Sequence, residues 1–208
     1  GRLGVAEAAF AAAASGAPKE PRVLIGWGVL GLKRGKGEEA LERLEKARVL
    51  LGEKPPPALW YWARSLAALV CGREAEALPV AEQGVAKYPR SAPLRNNFAV
   101  LCERAGKLER AEELLASALG EDPSLPQLSK NLGDLYYRSG RSDDARQAYE
   151  RAVKIAPRLG DDVLFKLGNI AFKQLRQEEA VGYWREALAL NPSHEMARRN
   201  LETLGRAG

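Results

Sequence analysis

A regular spacing of glycine, alanine and proline constrains this 208-residue chain more than any other feature. Four glycines that recur about once per unit each lie five residues before an alanine: Gly35, Gly72, Gly106 and Gly140, paired with Ala40, Ala77, Ala111 and Ala145. The closing prolines Pro89, Pro123, Pro157 and Pro192 fall 34, 34 and 35 residues apart. Self-similarity at this period is typical of solenoids, in which each unit is a small supersecondary element that buries its apolar face only by stacking on its neighbours.

Each unit is predicted to contain two helices. Leu132 and Tyr136 are four residues apart, so they share one face of a first helix. Gly140 supplies a residue able to adopt the left-handed backbone that ends a helix. Tyr149 then lies on the buried stripe of a second helix, which Pro157 stops.

This arrangement resembles the tetratricopeptide repeat (TPR) family, whose pattern is Trp-x2-Leu-Gly-x2-Tyr, then Ala-x3-Phe, then Pro. The matching residues of one unit are Leu132, Gly133, Tyr136, Ala145, Tyr149, Ala152 and Pro157, with Ser129 at the place of the family's tryptophan. Arg64 at an expected apolar position and Pro79 inside an expected helix depart from the pattern. The resemblance implies an all-α fold, a right-handed superhelical solenoid of antiparallel helix pairs.

The repeat predicts how the chain is divided. Residues 1–20 are expected to form the second helix of an incomplete N-terminal repeat, residues 21–192 five repeat units, and residues 193–208 a C-terminal capping helix. The five units are predicted at about 21–56, 57–91, 92–125, 126–160 and 161–192. A chain that opens in mid-repeat is expected to be a piece of a longer protein.

Composition narrows the class of protein and its location. No uninterrupted apolar run approaches 18 residues, so no membrane span is predicted. Basic and acidic residues are interleaved, which makes the formal net charge of +5 a mild excess. Cys71 and Cys102 both fall in apolar stretches and are predicted to be buried free thiols. The lack of a signal segment and the unpaired cysteines favour the cytoplasm.

No catalytic, metal or cofactor site is predicted. The segment GLKRGKG, residues 31–37, lacks the spacing of a phosphate loop and lies between two predicted helices. The pairs Asp143-Asp144 and Asp161-Asp162 fall at helix starts, where acidic side chains complement the helix dipole. His194, the single histidine, is expected to begin the capping helix. We therefore do not expect this chain to be an enzyme.

The resemblance implies a concave groove, lined by the first helices, that holds a peptide of a partner protein. The residues predicted to face it are Trp62, Leu66, Asn96, Lys130, Asn131, Asp134, Arg138, Lys166, Asn169 and Lys173. This face changes from apolar at its N-terminal end, where Ile25 is also expected, to polar and mostly basic at its C-terminal end. Core packing for the apolar half and an ordinary solvated face for the polar half stay open as alternatives.

The sequence therefore predicts a non-catalytic scaffold or adaptor that binds a short amphipathic or acidic segment of another protein. Lys130, Asn131, Lys166 and Asn169 would supply donors to an acidic group. RNA binding in the manner of pentatricopeptide repeats is an alternative that the positive charge permits, although no base-reading pair recurs between units. The recruitment arm of a larger enzyme or of a secretion or assembly machine is another. Self-association through exposed repeat ends is a further one.

Overall fold

The computed structural model describes residues 20–207, together with the isolated positions 9 and 12. Within residues 20–207 the chain forms eleven α-helices and no β-strand. The predicted helix over residues 1–20 lies outside the described residues apart from those positions. The all-α class predicted from the repeat is confirmed.

The helices are of similar length and alternate with short turns. In chain order they are α1 (Pro21–Lys33), α2 (Gly37–Leu51), α3 (Ala58–Val70), α4 (Glu74–Lys87), α5 (Ala92–Arg104), α6 (Leu108–Glu121), α7 (Pro126–Arg138), α8 (Ser142–Ile155), α9 (Asp161–Lys173), α10 (Gln177–Leu190) and α11 (Glu195–Ala207). The described part of the chain divides into two compact units, the first ending at Leu114 and the second beginning at Leu115. In the first unit α1 packs on α2 and α3 on α4, and in the second α7 packs on α8 and α9 on α10. The division into five repeats stays a prediction with which these helices are consistent.

The turn inside each helix pair uses left-handed backbone. Gly35, Gly72, Gly106 and Gly140 have φ values between 72 and 74°. Leu175 occupies the corresponding place before α10 with φ 62°, and its side chain is 85% exposed. Left-handed backbone costs a residue with a Cβ atom roughly 1–2 kcal/mol. The fifth turn therefore carries strain that the four glycine turns lack.

The two helices of a pair approach closely where a glycine on the first faces a large side chain on the second. A Cβ atom added to Gly133 would lie 2.6 Å from Cδ1 of Tyr149, and one added to Gly168 would lie 2.4 Å from Nε1 of Trp184. Both rings are almost completely buried. The Leu-Gly landmark of the sequence is thus the place where the aromatic ring of the second helix packs on the backbone of the first.

The two departures from the repeat pattern are accommodated within the first unit. α4 continues through Pro79 without interruption. The Arg64 side chain, 16% exposed, turns to α4, where its Nη2 atom donates to Glu76 Oε2 at 2.9 Å. Arg64 therefore contributes an ion pair between α3 and α4 in place of an apolar contact.

Hydrogen bonds link successive pairs in the first unit. Trp60 Nε1 of α3 donates to the Leu44 carbonyl of α2 at 2.8 Å. The Tyr88 hydroxyl donates to the carbonyl of Pro56 at 2.8 Å. This second bond ties down the proline-rich loop that lengthens the spacing between Gly35 and Gly72.

The cysteines and the histidine follow the sequence predictions with one correction. Cys71 and Cys102 are free thiols, and Cys102 is buried as predicted, but Cys71 is only half-buried. Burial raises the pKa of both thiols, and for Cys71 the nearby Glu38 adds to the effect. His194 precedes α11, where its Nδ1 atom accepts from the backbone N–H of Ala197 at 3.3 Å. Along the described chain no helix is both long and apolar enough to cross a bilayer.

Gly168→Ala and Gly182→Ala should change stability in opposite directions. The first adds a methyl group against the Trp184 indole and should lower the free energy of unfolding by about 1–3 kcal/mol through overpacking. The second lies inside α10 with no atom within 4 Å of an added Cβ and should raise it by about 0.5–1 kcal/mol through helix propensity. Urea unfolding measures both. Equal effects of the two changes would contradict the tight contact at Gly168.

Leu175→Gly should stabilise the protein by about 0.5–1 kcal/mol. Glycine removes the left-handed strain, and its greater freedom in the unfolded chain offsets part of that gain. Gly140→Ala, at the matching turn with φ 74°, should destabilise by a similar amount. Thermal unfolding checks the pair, and a loss of stability in Leu175→Gly would show that the leucine makes a compensating contact.

Candidate functional site

The predicted site residues of the second unit separate into two neighbouring groups. The first, here called the charge cluster, consists of Lys130 and Asp134 on α7, Tyr149 on α8, and Asp162 and Lys166 on α9. Lys130 Nζ lies 2.8 Å from Asp134 Oδ2 and 3.2 Å from Asp162 Oδ2. Asp134 Oδ1 accepts from Lys166 Nζ at 2.6 Å and from the Tyr149 hydroxyl at 2.7 Å. One carboxylate thus joins three helices.

The charge cluster is balanced internally and partly shielded from solvent. Lys130, Asp134 and Lys166 have side chains 24, 18 and 26% exposed. The sequence predicts the two lysines as donors to an acidic ligand, but in the structure their ammonium groups face two aspartates of the same chain. The reason is geometric, because Asp134 and Lys166 lie on successive first helices whose faces meet. The lysine pair is therefore first of all a structural link between α7 and α9.

The pKa values follow from these contacts. Burial alone would raise the pKa of Asp134, but hydrogen bonds from Lys130, Lys166 and Tyr149 outweigh it, so the pKa lies below its ordinary value. Burial alone would lower the pKa of Lys130, yet its contacts with Asp134 and Asp162 hold it above its ordinary value. Burial and the adjacent Asp134 raise the pKa of the Tyr149 hydroxyl. The cluster thus favours its charged form at neutral pH.

The second group is a cavity of about 240 Å³, here called the aromatic pocket. Its lining residues are Tyr137, Asn169, Phe172, Lys173, Trp184, Asn200, Thr203 and Leu204. They come from α7, α9, α10 and α11. Of the predicted site residues, Asn169 and Lys173 are brought together here.

Asn169 fixes the polar wall of the aromatic pocket. Its Oδ1 atom accepts from Trp184 Nε1 and from Asn200 Nδ2, both at 3.2 Å. Its Nδ2 atom donates to the Tyr137 hydroxyl at 3.5 Å. The Lys173 ammonium lies 5.8 Å from the centroid of the Tyr137 ring. Three helices thereby hold the Asn169 amide in one orientation.

In the first unit the predicted residues Trp62 and Leu66 on α3 and Asn96 on α5 are half-buried. Ile25, expected on the same face, is only 2% exposed and belongs to the core, which corrects that expectation. The polar contact between α3 and α5 is made by Ser65, whose Oγ atom accepts from Asn97 Nδ2 at 2.6 Å.

Sequence reasoning missed Tyr137, Phe172 and the α11 residues of the aromatic pocket. Tyr137 and Phe172 lie three residues after the predicted Asp134 and Asn169, on the next turn of the same helix faces. That spacing could have found them. Asn131 is half-buried and Arg138 exposed on α7, outside both groups. In the part of the chain that the structure describes, no three His, Cys, Asp or Glu side chains are placed to hold a metal ion.

Comparison with known proteins agrees with this geometry. Two family models described as Tetratricopeptide repeat match the chain, one over residues 72–124 and 103–164 and the other over residues 161–194. The chain belongs to the tetratricopeptide repeat family. Its helix pairs, glycine turns and Leu-Gly contacts are those of TPR units, and TPR proteins are in general scaffolds for protein–protein interaction.

The curated relatives of this chain include a TPR repeat-containing protein and a protein named for its part in assembly. TPR repeat-containing protein PA4667 of Pseudomonas aeruginosa is 31% identical over 170 residues, which is 80% of this chain and 28% of the relative. Photosystem I assembly protein Ycf3 of Prochlorococcus marinus is 28% identical over 125 residues, covering 51% of this chain and 72% of the relative. The chain thus spans little more than a quarter of the length of PA4667.

Solved structures share the fold at low sequence identity. A chain of the APC/C hetero-tetramer Cut9-Hcn1 gives a TM-score of 0.84 at 18% identity, covering 97% of this chain and 39% of that one. YrrB, a TPR protein with an unusual peptide-binding site, gives 0.64 at 18% identity, covering 93% of this chain and 98% of its own. At these identities the comparison shows the solenoid fold alone.

Asp134→Asn should destabilise the protein by about 1–3 kcal/mol, because it leaves two partly buried lysines with one aspartate between them. Asp144→Asn is the control, since its ion pair with Arg141 is 45% exposed on both sides and should contribute less than about 1 kcal/mol. Urea unfolding at neutral pH measures the difference. Equal losses would contradict a special role for Asp134.

The charge cluster should stabilise the protein most near neutral pH and should lose its effect at low and at high pH. The folded pKa of Asp134 lies below its ordinary value of 3.8, so its contribution is present above that value and lost as the pH falls through the folded pKa. The folded pKa of Lys130 lies above its ordinary value of 10.5, so its contribution is present below that value and lost as the pH rises through the folded pKa. The stability gap between wild type and Asp134→Asn should therefore be widest between those limits.

Proposed function

We propose that this chain is a non-catalytic scaffold that binds a segment of a partner protein along the first helices of its TPR units. The observation that carries the proposal is the surface of α7 and α9, where the charge cluster adjoins the aromatic pocket. Both groups are held by hydrogen bonds before any partner arrives, and preorganised side chains lose little freedom on binding. A partner segment lying along this face would meet first a balanced charged surface and then an apolar pocket.

The chemistry of the surface suits binding of a polypeptide better than catalysis of a reaction. In the charge cluster each carboxylate faces a lysine, and these contacts hold the pKa of Asp134 below its ordinary value, away from the near-neutral pKa that suits a general acid or base. The aromatic pocket offers side chains of the types that dominate protein interfaces, a tyrosine and a tryptophan. YrrB, which shares the fold, is described as having a peptide-binding site.

A role in assembling a larger complex is the second candidate. It is favoured by the similarity to Ycf3, which is named as an assembly protein, over 125 residues. In such a role the same first-helix face would hold one component while others are added. The binding chemistry would be unchanged, and the two candidates differ in what the bound partner does next.

Selection of random 12-residue peptides by display on the purified chain tests the proposal. Amide chemical shifts in NMR spectra should then move along the first helices of the second unit, including Asn131 and Asn169, when a selected peptide is added. Arg138→Glu on α7 should weaken binding of that peptide about three- to fivefold. Arg151→Glu on α8, which is also exposed and changes the net charge equally, should weaken it less than twofold.

Two outcomes would contradict the proposal. Selection that yields no binder, or shifts confined to the second helices, would remove the first-helix face as the binding surface. Tight binding of a mixed-sequence RNA 20-mer, with an affinity that falls steeply as salt is added, would favour the nucleic-acid alternative.

A further inference from the structure

We propose that the aromatic pocket binds one large apolar side chain of an extended partner segment whose residue two positions along is acidic and pairs with Lys173. This inference deepens the proposed function and rests on it. The pocket is assigned a recognition motif, apolar–x–acidic. The inference concerns the pocket and Lys173, and it assigns no binding motif to the charge cluster.

The volume of the pocket limits what it can hold to about one bulky side chain. About 240 Å³ is smaller than the ~300–1,000 Å³ clefts that enclose small-molecule ligands. It is enough for one bulky side chain that enters from a longer segment lying outside. The rings of Tyr137, Phe172 and Trp184 form apolar walls, and Phe172 is 42% exposed although it is a large apolar residue. Burying this exposed apolar surface against an aromatic or branched side chain of a partner is favourable, because apolar area is removed from water.

The pocket is held open by its own polar contacts. The Asn169 oxygen is occupied by Trp184 and Asn200, so the amide cannot turn away without breaking two hydrogen bonds. Phe172 lies against Trp184 with ring centroids 5.7 Å apart. The walls therefore do not need to rearrange to admit a side chain. These side chains are already ordered in the free protein, so binding costs little of their conformational entropy.

Charge distinguishes Lys173 from the lysines of the charge cluster. Lys130 and Lys166 each face two aspartates, whereas Lys173 is exposed and forms no ion pair with any residue that the structure describes. Its ammonium group lies over the face of Tyr137 at the pocket lining. A carboxylate is the natural partner for this cation, and a basic segment would be repelled by it.

The spacing of the motif follows from strand geometry. Side chains two residues apart in an extended segment lie on the same face, about 6.6 Å apart, while adjacent ones point to opposite faces. The Lys173 ammonium is 5.8 Å from the Tyr137 ring centroid in the pocket wall. An apolar side chain against that ring therefore places a carboxylate near Lys173 when the acidic residue is the second one along, not the next.

Blocked pentapeptides test the motif without a free terminus. The probes are acetyl-Ser-Trp-Ser-Glu-Ser-amide, its Gln analogue, and acetyl-Ser-Trp-Glu-Ser-Ser-amide, titrated into the full chain and followed by the amide shifts of Asn169, Lys173 and Asn200. The first probe should bind about three- to fivefold more tightly than the other two, the range expected of one exposed ion pair. Lys173→Glu should abolish that preference, and Lys154→Glu, an exposed lysine of α8 with the same charge change, should leave it intact.

Phe172→Ala provides a second variant that tests the apolar wall, and it should weaken all three probes alike. Equal affinity for the Glu and Gln probes, or a preference that survives Lys173→Glu, would overturn the assignment of Lys173. Shifts that bypass Asn169 and Asn200 would overturn the pocket itself. If the display-selected peptides bind the first helices while these probes do not displace them, the scaffold function stands and this inference fails.

Discussion

The packing of Trp184 on Gly168, and of Tyr149 on Gly133, is the contact on which the second unit depends. Because the glycine has no side chain, the ring of the second helix rests on the backbone of the first, and the two helices approach closely. The same two residues also form polar contacts of the candidate site. The Tyr149 hydroxyl donates a hydrogen bond to Asp134, and the Trp184 indole N–H donates one to Asn169. Core packing and surface geometry are therefore set by the same two side chains.

Polar contacts between successive first helices repeat this coupling from one pair to the next. Lys166 meets Asp134, Asn169 meets Tyr137, and in the other unit Asn97 meets Ser65, each bond joining residues 32 positions apart. That separation is close to one repeat, so the bonds tie together equivalent faces of adjacent helices. Within each unit the surface built in this way is stiff, which suits recognition of an extended segment better than of a compact one.

The sequence was sufficient for the fold because the determinants of the fold are local and periodic. The glycine before each alanine predicted the left-handed turns, and the spacing of Leu132 and Tyr136 predicted one face of the first helix. The site was harder to predict, since its properties arise between helices about one repeat apart. The i,i+4 spacing of Lys130 to Asp134 and of Asp162 to Lys166 could have predicted an ion pair within each helix. The linear pattern does not show the contacts across helices, in which each lysine also faces the aspartate of the other helix. Tyr137 and Phe172 were one helical turn beyond the predicted residues and could have been included, whereas the contribution of Asn200 from α11 required the packed structure.

The aromatic pocket combines residues of α7 and of the α9–α10 pair with residues of a single added helix, α11. α11 packs chiefly on α10 and has no second helix of its own within the described residues, yet Asn200, Thr203 and Leu204 form one side of the pocket. Single helices at the edge of a stack open locally more easily than paired ones. The apparent affinity of the pocket is then the intrinsic affinity scaled by the fraction of molecules in which α11 is docked. A ligand in the pocket would in turn hold α11 in place, so binding would lower the rate at which the backbone amides of α11 exchange with solvent.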